Sequence, residues 1–200
     1  MNSYFDNHFK KNVITIYPGE YYTSTGDEMV STVLGSCVSV ALCDEEKHIG
    51  GLNHFMLARD CSIEGQEADV QKLPGKYGEY AINLLIEDLV KKGADRSNLT
   101  AKVFGGSNIF NQENAQVGEV NARYAFETLA KLGIPVLKHD TGGNFPRKIF
   151  LDPALSKVYM KYVQNSHVEM EEVQKREKTM FSDLNINRVK NLFPEDIENL

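Results

Sequence analysis

Short apolar runs with alternating side chains fill the first third of the chain, and a period of two is typical of β-strands. A β-branched run at residues 12–17 ends at a Pro-Gly pair, and three more runs lie within residues 29–57. Large apolar residues alternate with small or polar ones in the middle run: Val38, Val40 and Leu42 against Cys37, Ser39, Ala41 and Cys43. The pattern predicts three strands joined by tight connections, and the middle strand should have one face of large side chains.

Helical periodicity begins after a connection at residues 58–75, which lacks any pattern and which we expect at the surface. Apolar residues recur every three or four positions over residues 77–89, and two lysines precede Gly93, so the sequence predicts an amphipathic helix that ends at Gly93. The elements predicted after it are a strand at residues 99–104, a helix at 119–132 and strands at 134–139, 147–152 and 157–163. The chain therefore reads as a mixture of strands and helices.

The composition changes after Val163, where aromatic residues thin out and charged residues dominate. We place a domain boundary there, between a globular domain at residues 1–163 and a charged extension at residues 164–200. Six apolar residues of the extension are spaced as in a weakly amphipathic helix: Met170, Val173, Met180, Leu184, Val189 and Leu192. A docked helix, a partner-binding arm and a disordered end all fit this composition, and we expect a surface helix packed along one face.

Composition and charge narrow the class of protein. With 200 residues and 42% hydrophobic side chains, the chain is long enough to bury a core of its own. Its net charge of −6 argues against a broad phosphate-binding surface, so we expect neither nucleic acid nor an anionic membrane as a partner. No apolar run reaches the roughly 20 residues of a membrane span, and residues 1–11 lack the apolar core of a signal peptide. A cytoplasmic protein is expected.

Three cysteines form too sparse and too odd a set for a disulfide scaffold, so we expect reduced thiols. Cys37 follows Gly35-Ser36 at the start of a predicted strand, where successive backbone N–H groups suit a developing oxyanion. His54 lies 17 residues later on the next predicted strand, and antiparallel pairing of the two strands would bring the thiol beside the imidazole. A nucleophilic cysteine needs such a partner, because a free thiol is mostly protonated at neutral pH. Thr32, just upstream, is placed to orient the imidazole.

Other interpretations of these residues stay open from spacing alone. Cysteine is among the most buried residue types, so Cys37 and His54 also fit as ordinary core residues. Cys43 fits as a small core residue of the same strand, and Cys61 fits as a loop thiol. A zinc site would need ligands from a set that lacks any C-x-x-C pair: Cys37, Cys43, His48, His54 and Cys61. We predict no metal site, and the glycines at residues 104–108 lack the spacing of a nucleotide-binding loop.

Six segments of the chain carry a recognisable pattern: TVLGSCVSVALCD at residues 32–44, GGLNHFML at 50–57, KYGEYAINLLIEDLVKKGA at 76–94, KVFGGSN at 102–108, VGEVNARYAFETLAKLGI at 117–134 and DTGGNFPRKIF at 140–150. In this order, and over residues 13–163, they resemble the CheD family of chemoreceptor glutamine deamidases. The LGSC and NHFML pieces are specific in combination. The resemblance favours a Cys-His pair over two core residues.

The resemblance implies an α/β (α+β) fold, a layered sandwich of mixed β-sheet strands flanked by helices and related to bacterial deamidating toxins. It also implies an amidohydrolase in which Cys37 is the nucleophile, His54 is the base, and Thr32, or Ser31 beside it, positions the histidine. We expect three further residues to bind the oxyanion or the substrate: Gly35, Ser36 and Asn53. This chemistry needs no metal and no organic cofactor, because the protein itself supplies the nucleophile, the base and the oxyanion donors.

The implied substrates are glutamine side chains in the cytoplasmic helical hairpin of methyl-accepting chemotaxis receptors, and the family also binds CheC-type phosphatases. A second interpretation is a non-catalytic chemotaxis adaptor that binds such a phosphatase or a receptor and in which the Cys-His pair is vestigial. The chain departs from the family pattern at Ala58, Val120 and Pro146. None of these positions belongs to the Cys-His-Thr set, so we expect them to change the shape of the substrate groove.

Overall fold

Two β-sheets and one layer of helices form the part of the chain that the structure describes. The computed structural model describes residues 1–57, 74–108 and 115–163, together with residues 171, 173, 175 and 179. The connection predicted at residues 58–73, with Cys61 in it, and most of the extension lie outside the described residues. The α/β (α+β) class and the layered arrangement predicted from the sequence are confirmed.

The first sheet contains β1 (Asn2–Asp6), β2 (Lys11–Thr15), β4 (Glu28–Leu34), β9 (Arg147–Asp152) and β10 (Lys157–Tyr162). Its strand order is β1-β2-β4-β9-β10. β2 and β4 are parallel, and the other neighbours are antiparallel. β4 therefore lies in the middle of the sheet, where five of its seven residues are buried.

The second sheet contains β3 (Tyr21–Ser24), β5 (Val38–Asp44), β6 (Ile49–Asn53), β7 (Leu99–Gly105) and β8 (Val136–Thr141). Its strand order is β3-β6-β5-β7-β8, and every residue of the central strand β5 is buried. The antiparallel pairing of β5 with β6, predicted from the charged turn between them, is confirmed.

Two helices, α1 (Gly78–Lys91) and α2 (Ala115–Lys131), cover the outer face of the second sheet. The core beneath them combines apolar side chains of both layers: Val38, Val40, Leu42, Ala101 and Val103 from the sheet, and Ala81, Ile82, Leu85, Leu89, Ala125 and Leu129 from the helices. Gly93 follows α1 with a φ of +102°, and Ala94 N–H donates to the Leu89 carbonyl at 3.0 Å. This is the glycine-terminated helix end that the sequence predicted.

The two sheets pack face to face through a second core, in which the small face of β5 meets the first sheet. Its members include Val30, Leu34, Cys37, Ala41, Cys43, Leu52, Ile149 and Leu151. The alternation read from the sequence of β5 is thus confirmed, because its large side chains face the helices and its small ones face the other sheet. Cys37 lies in this core, between the two sheets.

Two strands were not predicted from the sequence, and one predicted strand has other neighbours than its place in the chain suggests. β1 is largely exposed and polar, and β3 has only four residues, so neither carries a clear alternation. β4 precedes β5 by a short connection, yet it belongs to the first sheet, where it pairs with β2 and β9. The connection between β4 and β5 therefore crosses from one sheet to the other.

The four described residues of the extension are helical, and Val173 among them is 7% exposed. Among the described residues, no helix is both long and apolar enough to span a bilayer.

Candidate active site

Cys37 and His54 come together through the pairing of β5 with the segment that follows β6. Val38 N–H donates to the Phe55 carbonyl at 3.1 Å, and Phe55 N–H donates to the Val38 carbonyl at 3.0 Å, in an antiparallel bridge. Cys37 precedes Val38 and His54 precedes Phe55, so both point to the opposite face from the bridged pair and lie diagonally across it. Diagonal neighbours have Cα atoms about 7–8 Å apart, which an imidazole and a thiol can span.

The pair faces the first sheet and is almost fully enclosed. Cys37 belongs to the core between the sheets, and Cys37 and His54 are each 2% exposed. Thr32, on the central strand of the first sheet, is 1% exposed and faces the pair from the other side. The site is therefore made of side chains from both sheets.

Thr32 fixes the orientation of the His54 ring. Its Oγ1 lies 2.7 Å from His54 Nδ1 and 2.9 Å from the Ile16 carbonyl oxygen. A hydroxyl has one proton, and the carbonyl can only accept, so the hydroxyl donates to Ile16 and accepts from Nδ1–H. The neutral imidazole then carries its proton on Nδ1, which leaves Nε2 as the basic nitrogen.

Ser31, the neighbouring hydroxyl considered for this role, lies on the other face of the strand. Adjacent residues of a strand point to opposite faces, and the contact with His54 is made by Thr32. The Ser31 hydroxyl is buried and has no hydrogen-bond partner among the described residues. The structure thus separates two residues that the sequence left as alternatives.

The backbone of His54 is held by the segment before β3. Gly19 N–H donates to the His54 carbonyl at 2.7 Å, and His54 N–H donates to the Glu20 carbonyl at 2.9 Å. The Ile16 carbonyl that receives the Thr32 hydroxyl belongs to the same stretch of chain. This segment therefore holds both the main chain of His54 and the hydroxyl that orients its ring.

Three consecutive carbonyl groups of the turn at Cys37 point back into the protein. The Gly35 carbonyl accepts from Ser107 N–H at 2.8 Å, and the Cys37 carbonyl accepts from Gly106 N–H at 2.8 Å. Between them, the Ser36 carbonyl accepts from Asn121 Nδ2 at 3.3 Å. In a trans peptide the N–H points away from the C=O, so the N–H groups of Ser36 and Cys37 face away from these donors.

Glycines allow the donor segment to approach this turn closely. Gly105 has a φ of +111°, and a Cβ built on it would lie 2.2 Å from the Cys37 carbonyl oxygen. Gly118, near the start of α2, would carry a Cβ only 2.5 Å from the Gly106 carbonyl oxygen. Side chains at these positions would push the donors away from the turn, so the glycines of the KVFGGSN and VGEV segments have a packing role here.

Arg147 fixes the far side of the donor segment. Its side chain is 1% exposed, and Nη1 and Nη2 donate to the Gly105 carbonyl at 3.1 Å and to Ser107 Oγ at 3.0 Å. It also donates to the carbonyls of Asp140 and Gly142 and forms an ion pair of 2.7 Å with the Asp140 carboxylate. Burial lowers the pKa of the guanidinium, and the Asp140 carboxylate opposes that effect. The network connects the Cys37 turn to β9.

Asn53 contacts β5 and not the turn at Cys37. It is fully buried, its Oδ1 accepts from Val40 N–H at 2.8 Å, and its carbonyl accepts from the Ser39 hydroxyl. As the neighbour of His54 on one strand, it points to the opposite face. The side-chain bond to Val40 takes the place of a backbone bond in the ladder, so Asn53 shapes the strand end that presents His54.

Cys43 lies at the other end of β5, on the same face as Cys37 and 1% exposed. Burial raises the pKa of its thiol, and the nearby Lys102 charge acts in the opposite direction. The zinc alternative included Cys61, which lies outside the described residues. Within the described part of the chain, no three His, Cys, Asp or Glu side chains are grouped to hold a metal ion.

Sequence reasoning did not single out Asn121 and Arg147. Asn121 donates to the turn at Cys37, and Arg147 donates to the segment that binds this turn. Asn121 lies in a stripe with Val117 and Ala125 at the four-residue spacing of a helix face, and all three are buried. A carboxamide on an apolar helix face is the signal that the sequence offered. Arg147 gave only the weaker signal of a charge at the start of an apolar strand.

Comparisons with known proteins give one consistent family. The sequence model of the family CheD, described as "CheD chemotactic sensory transduction", matches residues 56–162, a range that begins after His54. A relative from Albidiferax ferrireducens, "Probable chemoreceptor glutamine deamidase CheD 1", is 40% identical over 174 residues, 86% of this chain and 71% of its own length.

Two further relatives carry the name "Probable chemoreceptor glutamine deamidase CheD". The protein from Methylobacillus flagellatus is 41% identical over 170 residues, which cover 83% of this chain and 81% of the relative. The protein from Borrelia turicatae is 39% identical over 168 residues, which cover 84% of this chain and 99% of the relative. The chain is thus similar to these proteins over most of its length.

Proposed function

The chain belongs to the CheD family, and we propose that it is a protein-glutamine deamidase that converts glutamine side chains of chemotaxis receptors to glutamate. The names of the relatives support the reaction and the class of substrate. The mechanism proposed below rests on the geometry of Cys37, His54 and Thr32.

In the first step, Cys37 Sγ attacks the side-chain amide carbon of the substrate glutamine. His54 Nε2 takes the thiol proton, because the bond from Nδ1–H to Thr32 leaves Nε2 as the base. The protonated ring carries a positive charge that favours the thiolate beside it. Thr32 acts as a positioning residue in this step, since its hydroxyl contacts the imidazole.

The amide oxygen becomes an oxyanion in the tetrahedral intermediate. We assign its stabilisation to the backbone N–H groups of Ser36 and Cys37, whose carbonyls are turned the other way by buried donors. Preorganised N–H groups of this kind stabilise the transition state without any rearrangement at the moment of reaction. Gly35 adds no side chain at the entrance to this turn.

Collapse of the intermediate breaks the C–N bond. His54 gives its proton to the leaving nitrogen, so ammonia departs and a thioester joins the substrate to Cys37 Sγ. Water then attacks the thioester carbon while His54 takes a proton from it. The proton returns to the thiolate as the glutamate side chain is released, and the free enzyme is restored.

The observation that carries this proposal is the placement of Cys37 and His54 across one antiparallel bridge, with Thr32 at 2.7 Å from His54 Nδ1. The test is incubation of the purified protein with the cytoplasmic fragment of a chemotaxis receptor encoded in the same genome. We expect ammonia release and a gain of about one mass unit per modified glutamine, and both should stop in Cys37→Ala and in His54→Ala.

Cys43→Ala is the matched control, because it makes the same chemical change on the same buried face of β5. It should keep the deamidase activity. Full activity in Cys37→Ala would overturn the mechanism. Inactivity of the wild type together with tight binding to the receptor fragment would favour the non-catalytic adaptor.

We further propose a CheC-type phosphatase as a partner and the cytoplasm as the location. Family membership supports the partner, and a substrate in the cytoplasmic part of a receptor supports the location. Co-elution of the chain with a purified CheC-type phosphatase in size-exclusion chromatography would support the complex. Separate elution at concentrations of both proteins that match those in the cell would contradict it.

A further inference from the structure

Asn121 joins the two chain segments that carry Cys37 and His54. It lies on α2, is 1% exposed, and its Nδ2 is 2.7 Å from the Met56 carbonyl oxygen and 3.3 Å from the Ser36 carbonyl oxygen. Both neighbours are carbonyl groups, which only accept hydrogen bonds, so the amide nitrogen and not the oxygen must face them. One carboxamide therefore uses its two protons on two different segments of the site.

Each of these carbonyls is tied to a group of the proposed mechanism. The Ser36 carbonyl shares a peptide plane with the Cys37 N–H, so a bond to one sets the direction of the other. Met56 follows His54 by two residues and lies opposite Cys37 in the register of the Val38–Phe55 bridge. Asn121 thus sets the direction of one peptide beside the nucleophile and holds the segment that faces it.

The neighbouring peptides of the turn do not depend on Asn121. The Gly35 and Cys37 carbonyls accept from the backbone N–H groups of Ser107 and Gly106, at 2.8 Å in both cases. Loss of the carboxamide would therefore leave the turn held at both ends. The middle peptide, which contains the Cys37 N–H, would lose the hydrogen bond that Asn121 donates to its carbonyl.

We propose that Asn121 is a positioning residue for the deamidation step, which it serves by aiming the Cys37 N–H at the oxyanion. This inference rests on the proposed function. It assigns Asn121 to the stabilisation of the tetrahedral intermediate and not to the reactivity of the thiol. Thiol alkylation by iodoacetamide forms no oxyanion, so the two reactions separate these roles.

The test compares Asn121→Ala with the wild type in both reactions. For deamidation of the receptor fragment we expect kcat to fall by at least about 10-fold, on a scale where loss of a whole oxyanion donor costs about 10²–10³-fold. KM should change by less than about 3-fold, because the substrate is bound before the oxyanion forms. The rate of Cys37 alkylation should also change by less than about 3-fold.

Ala125→Gly is the matched control, since it weakens the same helix one turn further on and Ala125 packs in the core between the helices and the second sheet. It should keep kcat within about 3-fold of the wild type, since its cost falls on the helix. Equal losses of kcat in Asn121→Ala and Ala125→Gly would overturn the inference. Parallel losses of deamidation and alkylation in Asn121→Ala would overturn it as well.

Asn121→Asp keeps the test decisive if the alanine variant does not fold. An ionised carboxylate cannot donate to either carbonyl, whereas the protonated acid can donate to one. The ratio of wild-type kcat to Asn121→Asp kcat should therefore rise with pH, and a flat ratio would contradict the inference. A wild type that releases no ammonia, or a Cys37→Ala variant that does, would instead show that the proposed function itself is wrong.

Discussion

Replacement of Thr32 by valine removes one hydroxyl and keeps the shape of the side chain. The hydroxyl accepts from His54 Nδ1–H at 2.7 Å and donates to the Ile16 carbonyl at 2.9 Å. Thr32→Val therefore deletes the group that selects the Nδ1–H form of the ring. It also leaves a buried N–H and a buried carbonyl without that partner.

The magnitude follows from the cost of those orphaned groups. A buried donor or acceptor that loses its partner costs about 1–3 kcal/mol. If that energy selects the imidazole form with a basic Nε2, its loss lowers kcat by a factor of about 5 to 150. Thr32→Ser is the control, because it keeps the hydroxyl and removes a buried methyl group, which costs about 1 kcal/mol of folding stability.

The two variants separate orientation of the ring from stability of the core. We expect both variants to melt below the wild type, because Thr32→Val orphans two buried polar groups and Thr32→Ser loses a buried methyl group. Only Thr32→Val should lose kcat in the receptor-fragment assay, since Thr32→Ser keeps the hydroxyl that orients the ring. The rate of Cys37 alkylation should fall in Thr32→Val as well, since a thiolate depends on a correctly oriented base. Equal kcat values in the two variants would refute the role given to the hydroxyl.

Three further predictions concern thiol reactivity, the buried arginine and the extension. Burial raises the pKa of the Cys43 thiol. Iodoacetamide at neutral pH should therefore modify Cys37 at least about 10-fold faster than Cys43. Equal rates of modification of the two thiols in a peptide mass map would contradict the assignment of the nucleophile. Arg147→Met should lower the free energy of unfolding in urea by about 3 kcal/mol, because it leaves several carbonyls and a carboxylate without their donor. An equal loss of unfolding free energy in Arg147→Lys would show that the several hydrogen bonds of the guanidinium do not contribute to stability. Truncation after Val163 should lower the free energy of unfolding by about 1–3 kcal/mol, which is the contribution of one or two buried side chains such as Val173. The rate of Cys37 alkylation should not change. Failure of the truncated chain to fold would show that the domain boundary does not lie at Val163.

The elements near the site were predictable because their patterns are local. β5 alternates large and small residues, and its two faces pack against different layers, so its orientation could be read from its own sequence. Gly93 marked the end of α1 because glycine adopts the left-handed conformation that terminates a helix without steric strain. The hairpin of β5 and β6 followed from the charged turn between them. Each of these predictions needed a window of fewer than about 20 residues.

The membership of strands in sheets needed information from distant parts of the chain. β4 and β5 are neighbours in sequence but lie in different sheets, because β4 pairs with β9 more than 100 residues later. The sequence pattern of β4 does not indicate which distant strand it pairs with. β1 was missed for a different reason: it is an exposed edge strand whose pairing with β2 depends on backbone hydrogen bonds more than on buried side chains.

The contacts of the candidate site also differ in whether they depend on local sequence or on distant segments of the chain. The Cys37–His54 pair depends on one hairpin, so its spacing in sequence predicts its geometry, whereas Thr32 reaches His54 only because two sheets are stacked. Val30 and Leu34 lie two residues to either side of Thr32 and belong to the core between the sheets. Because protein interiors are close-packed, the distance between the sheets at Thr32 is set by those neighbours. The inter-sheet core thus controls the orientation of the base. A loss of packing there would disturb the hydrogen bond of 2.7 Å between Thr32 and His54 and, with it, the position of the imidazole that the proposed mechanism uses.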